Sequence, residues 1–325
     1  MEKYIAEFPE QIKDAVNLVE KVPVLLEKRP QNVVIAGMGG SGIAGTFMVE
    51  YADYRKAEIP VMTHKNYGLP YFVNENTLVI ISSYSGNTEE TIAALRVAIQ
   101  RKAQIAAITS GGTIEKMCQE NAIPVVRIPQ NFPPRAALAY SLAGMFHILS
   151  RQDVFFYEWI GDMYEAHNIL QIYQKEIRQQ AKKVAEQIHH TFPIIYSLGG
   201  EAVPLRLRQQ LNENSKVLCS HHIFPEMNHN EIVGWKCLNA SHSVVVLRCN
   251  YDKISNFQRF EFCKNIFHQH NIPVLEIHAK GESFITQYLY LMHAADWISY
   301  ELALLNQVDP MEVKVIEELK TSLKS

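Results

Sequence analysis

The chain has 325 residues, with 31 basic and 34 acidic side chains and a formal charge of −3. No bulk field therefore draws it to nucleic acid or to an anionic membrane surface. Apolar residues make up 47%, but no uncharged apolar run approaches the roughly 18 residues of a membrane span, and the length suits two domains of about 100–200 residues each. Five cysteines, Cys118, Cys219, Cys237, Cys249 and Cys263, are odd in number and show no CxxC spacing. That pattern argues against a zinc site or a disulfide framework and for reduced thiols. The first ten residues lack the basic start and apolar core of a signal peptide, so the expectation is a cytoplasmic protein without membrane contact.

Residues 10–28 carry apolar side chains at Ile12, Val16, Val19, Val22 and Leu25–Leu26, close to the 3.6 period of a helix that Pro23 bends or breaks. Apolar runs bounded by turn residues follow at Val33–Ala36, Ile59–Thr63, Leu78–Ser82, Ile105–Thr109 and Val125–Ile128. Helical patterns lie between them near 42–53, 88–101, 112–121 and 135–150. Continuous Val/Ile runs alternating with helices predict a parallel sheet covered on both faces. A second series begins with Pro193–Leu198, Lys216–Ser220, Ser243–Leu247 and Pro273–Ile277, closed by a long helix near 284–306. Both series open with a strand running into a double glycine, Gly39–Gly40 and Gly199–Gly200, as a duplicated α/β unit would. The expected fold class is α/β, with two doubly wound parallel-sheet domains, flavodoxin-like in type, and a helical connector. The expected boundaries are 1–155, 156–190 and 191–325.

Residues 82–91, Ser-Ser-Tyr-Ser-Gly-Asn-Thr-Glu-Glu-Thr, follow a buried strand and open a helix. One hydroxyl suffices for a helix cap, and Ser85 or Asn87 could supply it. Several hydroxyls beside a glycine exceed that need, so Ser83, Ser85 and Thr88 fit an anion the size of a phosphate at the positive end of a helix dipole. The loop Gly37-Met-Gly-Gly-Ser-Gly42 is of related character, with Gly39, Gly40 and Ser41 as a substrate cradle. It also satisfies the dinucleotide pattern G-x-G-x-x-G. The next strand, however, ends in His64–Lys65 rather than the acid that binds a ribose. The loop thus has three readings, a phosphate cradle, a dinucleotide site and a plain tight turn.

Arg135, in Phe-Pro-Pro-Arg-Ala-Ala, is a cation at a helix start, which the dipole disfavours unless a negative partner is present. Glu213 and His229 lie in polar segments of an otherwise apolar second half. A carboxylate and an imidazole suit proton transfer near neutral pH, although Glu226 and Glu231 are rival carboxylates and the chain has 13 histidines. The tail from Asp309–Pro310 to Lys320 reads as a short helix with a proline start.

Together, Gly39–Gly42 and Ser82–Thr91 resemble the sugar isomerase (SIS) domain family, whose members bind phosphosugars. Phe132-Pro-Pro-Arg135, Asn212-Glu-Asn-Ser-Lys216, Glu226-Met-Asn-His-Asn-Glu231 and Asp309-Pro…Ile316-Glu-Glu-Leu-Lys320 narrow the resemblance. Over nearly the whole chain it is similar to the bifunctional phosphoglucose/phosphomannose isomerases of archaea and some bacteria. That resemblance implies an aldose–ketose isomerase acting through a cis-enediol, with neither cofactor nor metal. Ser41, Ser83, Ser85 and Thr88 would hold the sugar phosphate and Arg135 would stabilise the enediolate. Glu213 would be the base, and His229 and Lys320 would assist ring opening. A homodimer is implied, because in this family the histidine reaches the site from the partner subunit. The rival readings are a non-catalytic phosphosugar sensor, a dinucleotide-dependent oxidoreductase and an aminosugar synthase. No basic helix-turn-helix is apparent in the first 30 residues, and no glutaminase segment with an N-terminal cysteine is present.

Overall fold

Hydrogen-bonding groups of a strand buried on both faces can be satisfied only by neighbouring strands, and Val/Ile-rich runs supply such strands here. In the computed structural model, which describes residues 1–23, 28–155, 159–238 and 241–322, two parallel sheets result. Their strands belong to two units, residues 7–171 with 281–286, and residues 1–6, 172–280 and 287–325.

The first unit contains α2 (Phe8–Val19), following α1 (Glu2–Ala6) of the other unit, then β1 (Asn32–Ala36), α3 (Gly39–Tyr54), β2 (Val61–His64) and β3 (Thr77–Ser82). It continues through α4 (Glu89–Gln100), β4 (Gln104–Thr109), α5 (Gly112–Glu120), β5 (Val125–Arg127) and α6 (Leu138–Arg151). All five strands are parallel in the order β2-β1-β3-β4-β5. Every residue of the central strand β3 is buried. Helix α2 buries Ile12, Ala15, Val16 and Val19 on one stripe. Tyr140 on α6 donates to Asp14 Oδ2 at 2.8 Å, which ties α2 to α6. The part of the expected 10–28 helix at residues 24–27 lies outside the described residues.

Helix α7 (Trp159–Ile188) occupies the stretch expected to be a helical connector. The second unit then runs β6 (Phe192–Ser197), α8 (Ala202–Gln210), β7 (Ser220–Ile223), β8 (His242–Arg248), α9 (Ile254–Gln269), β9 (Val274–His278), α10 (Phe284–Leu305) and α11 (Lys314–Ser322). Its four strands are parallel in the order β7-β6-β8-β9. The expected α/β class with two parallel-sheet domains is thus the observed one.

Two expected elements are displaced. The strand expected at Lys216–Ser220 is β7 at Ser220–Ile223, because α8 runs on into a π-helical turn, Leu211–Ser215, and Lys216 then takes a left-handed conformation. Residues 217–219 are spent in returning to the sheet. The tail helix starts at Lys314 rather than at Asp309–Pro310, since Asp309 Oδ1 accepts the Met311 N–H in a turn of its own.

A polar bolt joins α8 to α10. Arg206 is 2% exposed, and its Nη2 donates to Asp296 Oδ2 at 2.6 Å, while Gln210 Nε2 donates to Oδ1 at 2.7 Å. Breaking a buried pair leaves a desolvated charge behind. Asp296→Ala is therefore expected to cost about 3–5 kcal/mol in urea unfolding, far more than surface substitutions.

His293, on the same helix, is fully buried and accepts the Trp297 Nε1–H at 3.2 Å. Burial, reinforced by the Arg206 guanidinium, pushes its pKa from 6.5 down to about 3. The unfolded chain therefore binds the extra proton first, and this contribution to stability is complete above pH 6.5 and declines as pH falls toward 3. In unfolding free energies measured against pH, His293→Gln should flatten that limb by up to about 1.4 kcal/mol per pH unit.

Candidate functional site

In a parallel open sheet, a crevice forms at the carboxyl edge where neighbouring connections leave in opposite directions. The order β2-β1-β3-β4-β5 places that switch between β1 and β3, and the glycine-rich loop and the hydroxyl-rich loop follow these two strands. Ser41 is buried in the first turn of α3, and its Oγ accepts the Tyr84 N–H at 3.2 Å, which joins the loops directly. Ser83, also buried, lies 2.9 Å from Thr88 through their hydroxyls, across the turn. Ser85 is exposed and accepts the Asn87 N–H at 3.3 Å.

Neither Ser85 nor Asn87 caps α4. Thr88 stands at its N-cap position, and its side chain makes no capping hydrogen bond. Asn87 Oδ1 instead accepts from Thr113, through both N–H (3.0 Å) and Oγ1 (2.9 Å), at the start of α5. Helix starts leave N–H donors without intrahelical acceptors, so the first turn of α4 and the hydroxyls of Ser83 and Thr88 beside it offer the donor types of an anion nest.

Close packing holds the turn. Gly86 has φ +65°, and a Cβ there would stand 1.7 Å from the Gly111 carbonyl oxygen. Tyr84 O accepts from Ser110 through N–H (3.0 Å) and Oγ (2.7 Å). Arg135 is 5% exposed in a short 3₁₀ turn, Pro134–Ala136. A Cβ on Gly40 would lie 3.1 Å from Arg135 Cα, so the arginine backbone abuts the first glycine loop. Ser41, Ser83, Thr88, Gly40 and Arg135 thus form one cluster of the first unit, with Gly39 (φ +51°) opening α3. A cavity of about 410 Å³ lined by Lys102, Gln104 and Asn121 lies at the other end of this sheet and holds none of these residues.

In the second unit, Glu213 sits half-buried in the π-helical turn. Such single turns recur at functional positions. The turn is fastened to α10 by Asn214 Nδ2 to Ser299 Oγ (2.9 Å), by Ser215 Oγ to Ser299 O (2.6 Å) and by Asn306 Nδ2 to Ser215 O (2.9 Å). Glu213 lines a groove of about 360 Å³, with Val217 and Leu218 on one wall and Val313, Val315 and Ile316 on the other.

His229 is exposed at the end of a 3₁₀ turn, Glu226–His229. Its segment is anchored by Trp235, which packs edge-on to Phe267 at 4.7 Å between ring centroids and donates to Tyr196 Oη at 3.2 Å. Of the rival carboxylates, Glu231 accepts from Tyr196 Oη and pairs with His222 Nδ1 (2.9 Å), and Glu226 accepts from Asn230 Nδ2 at 3.0 Å. Both serve the architecture of the segment. Lys320 is exposed on α11.

Comparison with known proteins matches both halves of the chain. Residues 177–323 match the family described as bacterial phospho-glucose isomerase C-terminal SIS domain, and residues 25–128 match the SIS domain. Over 294 residues the chain is 35% identical to the bifunctional phosphoglucose/phosphomannose isomerase of Thermoplasma volcanium, covering 90% of this chain and 91% of that one. It belongs to the bifunctional phosphoglucose/phosphomannose isomerase family. The enzyme of that name from Aquifex aeolicus is 33% identical over 298 residues, with 90% and 91% coverage. In fold, the C-terminal domain of glucosamine-fructose-6-phosphate aminotransferase from Francisella tularensis is similar, with TM-score 0.72 at 13% identity, covering 95% of this chain and 96% of that one.

For a member of this isomerase family, several residues near the candidate positions escape sequence reasoning. Tyr84 joins the two loops through a backbone N–H, which no side-chain pattern reveals. Lys65, which donates to Thr46 Oγ1 at 2.8 Å, sets a cation on the flank of α3. Its position straight after a strand was the available signal. Lys216 is taken up below.

Because Gly86 has no room for a side chain, Gly86→Ala is expected to lose about 1–3 kcal/mol of stability and to distort the turn. In thermal melts, inorganic phosphate should raise the Tm of the unaltered protein and leave that of Gly86→Ala unmoved.

Proposed function

We propose that this chain interconverts glucose 6-phosphate, and also mannose 6-phosphate, with fructose 6-phosphate by proton transfer between C1 and C2 through a cis-enediol. The observation that carries the reading is the uncapped, hydroxyl-lined crevice between β1 and β3, suited to a phosphate dianion, in a chain related to isomerases of that name. Ser41, Ser83, Ser85 and Thr88 hold the phosphate, with Gly39 and Gly40 allowing its close approach. Arg135 offsets the negative charge that develops on the enediolate oxygens, where a fixed cation is worth most.

Glu213 is the base. It takes the C2 proton of the aldose and returns it to C1, so one carboxylate serves both directions of the reaction. Glucose and mannose phosphates give the same enediol, and rotation about C1–C2 lets a single base reach either epimer. His229 and Lys320 assist opening of the sugar ring. The chain works as a homodimer in which the histidine comes from the partner subunit. The chemistry is acid–base throughout and calls for no nicotinamide and no metal.

The test is a coupled assay of glucose 6-phosphate formation from fructose 6-phosphate. Glu213→Gln should lower kcat about 10²–10⁴-fold with KM little changed, as removal of a general base does. Substantial turnover in that variant overturns the base assignment. An unaltered protein that binds fructose 6-phosphate without converting it is a sensor rather than an isomerase.

A further inference from the structure

The residue that ends the Glu213 turn is a lysine where backbone geometry favours glycine. Lys216 has φ +58°, a left-handed conformation that costs a side-chain-bearing residue of the order of 1 kcal/mol or more. What the lysine does there is visible in its ammonium. Nζ donates to three backbone carbonyls, Glu213 O at 2.7 Å, Asp309 O at 2.8 Å and Glu312 O at 2.7 Å.

An ammonium has three protons, and charge-assisted bonds of this length are among the stronger ones available. The acceptors come from two segments far apart in sequence. One is the candidate base's own peptide. The others belong to the stretch leading into α11, where Asp309 Oδ1 accepts from Met311 N–H and the Glu312 carboxylate accepts from Lys314 N–H. These local turns aim two carbonyls at one point. The same two segments form the facing walls of the groove that Glu213 lines.

We propose that Lys216 is a positioning residue for the Glu213 base: its ammonium clamps the base's turn to the C-terminal segment and sets the width of the groove between them. The clamp acts through the backbone. Lys216 touches no reacting atom, but a shift of about 1 Å in the base's peptide is enough to lower a proton-transfer rate about a hundredfold. Arginine is no substitute, because its planar fork cannot converge three bonds on a single nitrogen. The inference rests on the assignment of Glu213 as base.

The left-handed backbone makes the test discriminating. If Lys216 is only the end of a turn, Lys216→Gly relieves strain and leaves turnover intact. If it is the clamp, Lys216→Gly should keep its fold by circular dichroism and lower kcat about a hundredfold, with KM for fructose 6-phosphate within about threefold. Amide hydrogen exchange in residues 309–319 should quicken in the same variant. Lys216→Cys treated with 2-bromoethylamine, which rebuilds a lysine-length amine, should regain about a tenth or more of the unaltered kcat. The unaltered protein given the same treatment controls for its native cysteines, and the alkylated variant decides the matter if the glycine variant fails to fold.

A Lys216→Gly kcat within about threefold of the unaltered protein overturns the clamp. So does failure of the rebuilt amine to restore turnover in a folded variant. Glu213→Gln, assayed alongside, separates the two levels. If it is inactive while Lys216→Gly is active, only the clamp is lost; if Glu213→Gln is itself active, the base assignment goes and the clamp with it.

Discussion

Parallel pairing is the constraint from which the rest follows. Asn32 to Ala36 register with Thr77 to Ile81, all in one direction, so both strands deliver their carboxyl ends to the same edge of the sheet. Strands buried on both faces have no free surface of their own to present to a ligand. In this sheet the loops that can meet a ligand are confined to that edge, and the strand order decides which two of them meet. A hydroxyl-rich turn after any other pair of strands would have no partner loop across a crevice.

The two units show how little of this is fixed by the fold alone. Each opens with a strand and a double glycine, yet the loops after those strands are hydrogen-bonded differently. In the second unit, Ser197 Oγ turns back onto the Gly200 carbonyl, and Asn256 Nδ2 donates to Leu198 O (2.7 Å) and Phe224 O (3.3 Å). The loop is closed on itself. Glu201 stands at the N-cap of α8 with its carboxylate 3.3 Å from His221 Nε2, an acid at the position where an anion would otherwise sit. After α8 the second unit carries a different device, a π-helical turn that bears a carboxylate, Glu213.

The strands were legible because their burial is unbroken: Leu78–Ile81 cannot be read as anything that alternates, and it lies within β3. Lys216–Ser220 reads as strand from its apolar composition, but the strand is Ser220–Ile223. Val217 and Leu218 are apolar wall residues of a groove, and Leu218 is 80% exposed. A left-handed lysine gives no sequence signal, since the preference for glycine there points the other way. The anion turn was legible from an excess of hydroxyls, but the use of Asn87 was not. Its acceptor serves α5, twenty-six residues on, and that pairing exists only once β3 and β4 are adjacent. Glu213 and His229 could not be chosen from spacing. Family resemblance singled them out, and the structure adds that Glu231 and Glu226 are engaged elsewhere.

The two groups of residues are also held in physically different ways. The loops after β1 and β3 are held by close backbone approach, at Gly40 against Arg135 and at Gly86 against Gly111, where a single added carbon would collide with the Gly111 carbonyl. The Glu213 turn is fixed by directional polar bonds from Asn214, Ser215, Asn306 and Lys216. Steric contact fixes the path of a backbone but tolerates no added side chain. Hydrogen bonds define the orientation of a carboxylate, which in proton transfer matters as much as its distance. Each unit thus uses the kind of restraint that suits the part proposed for it.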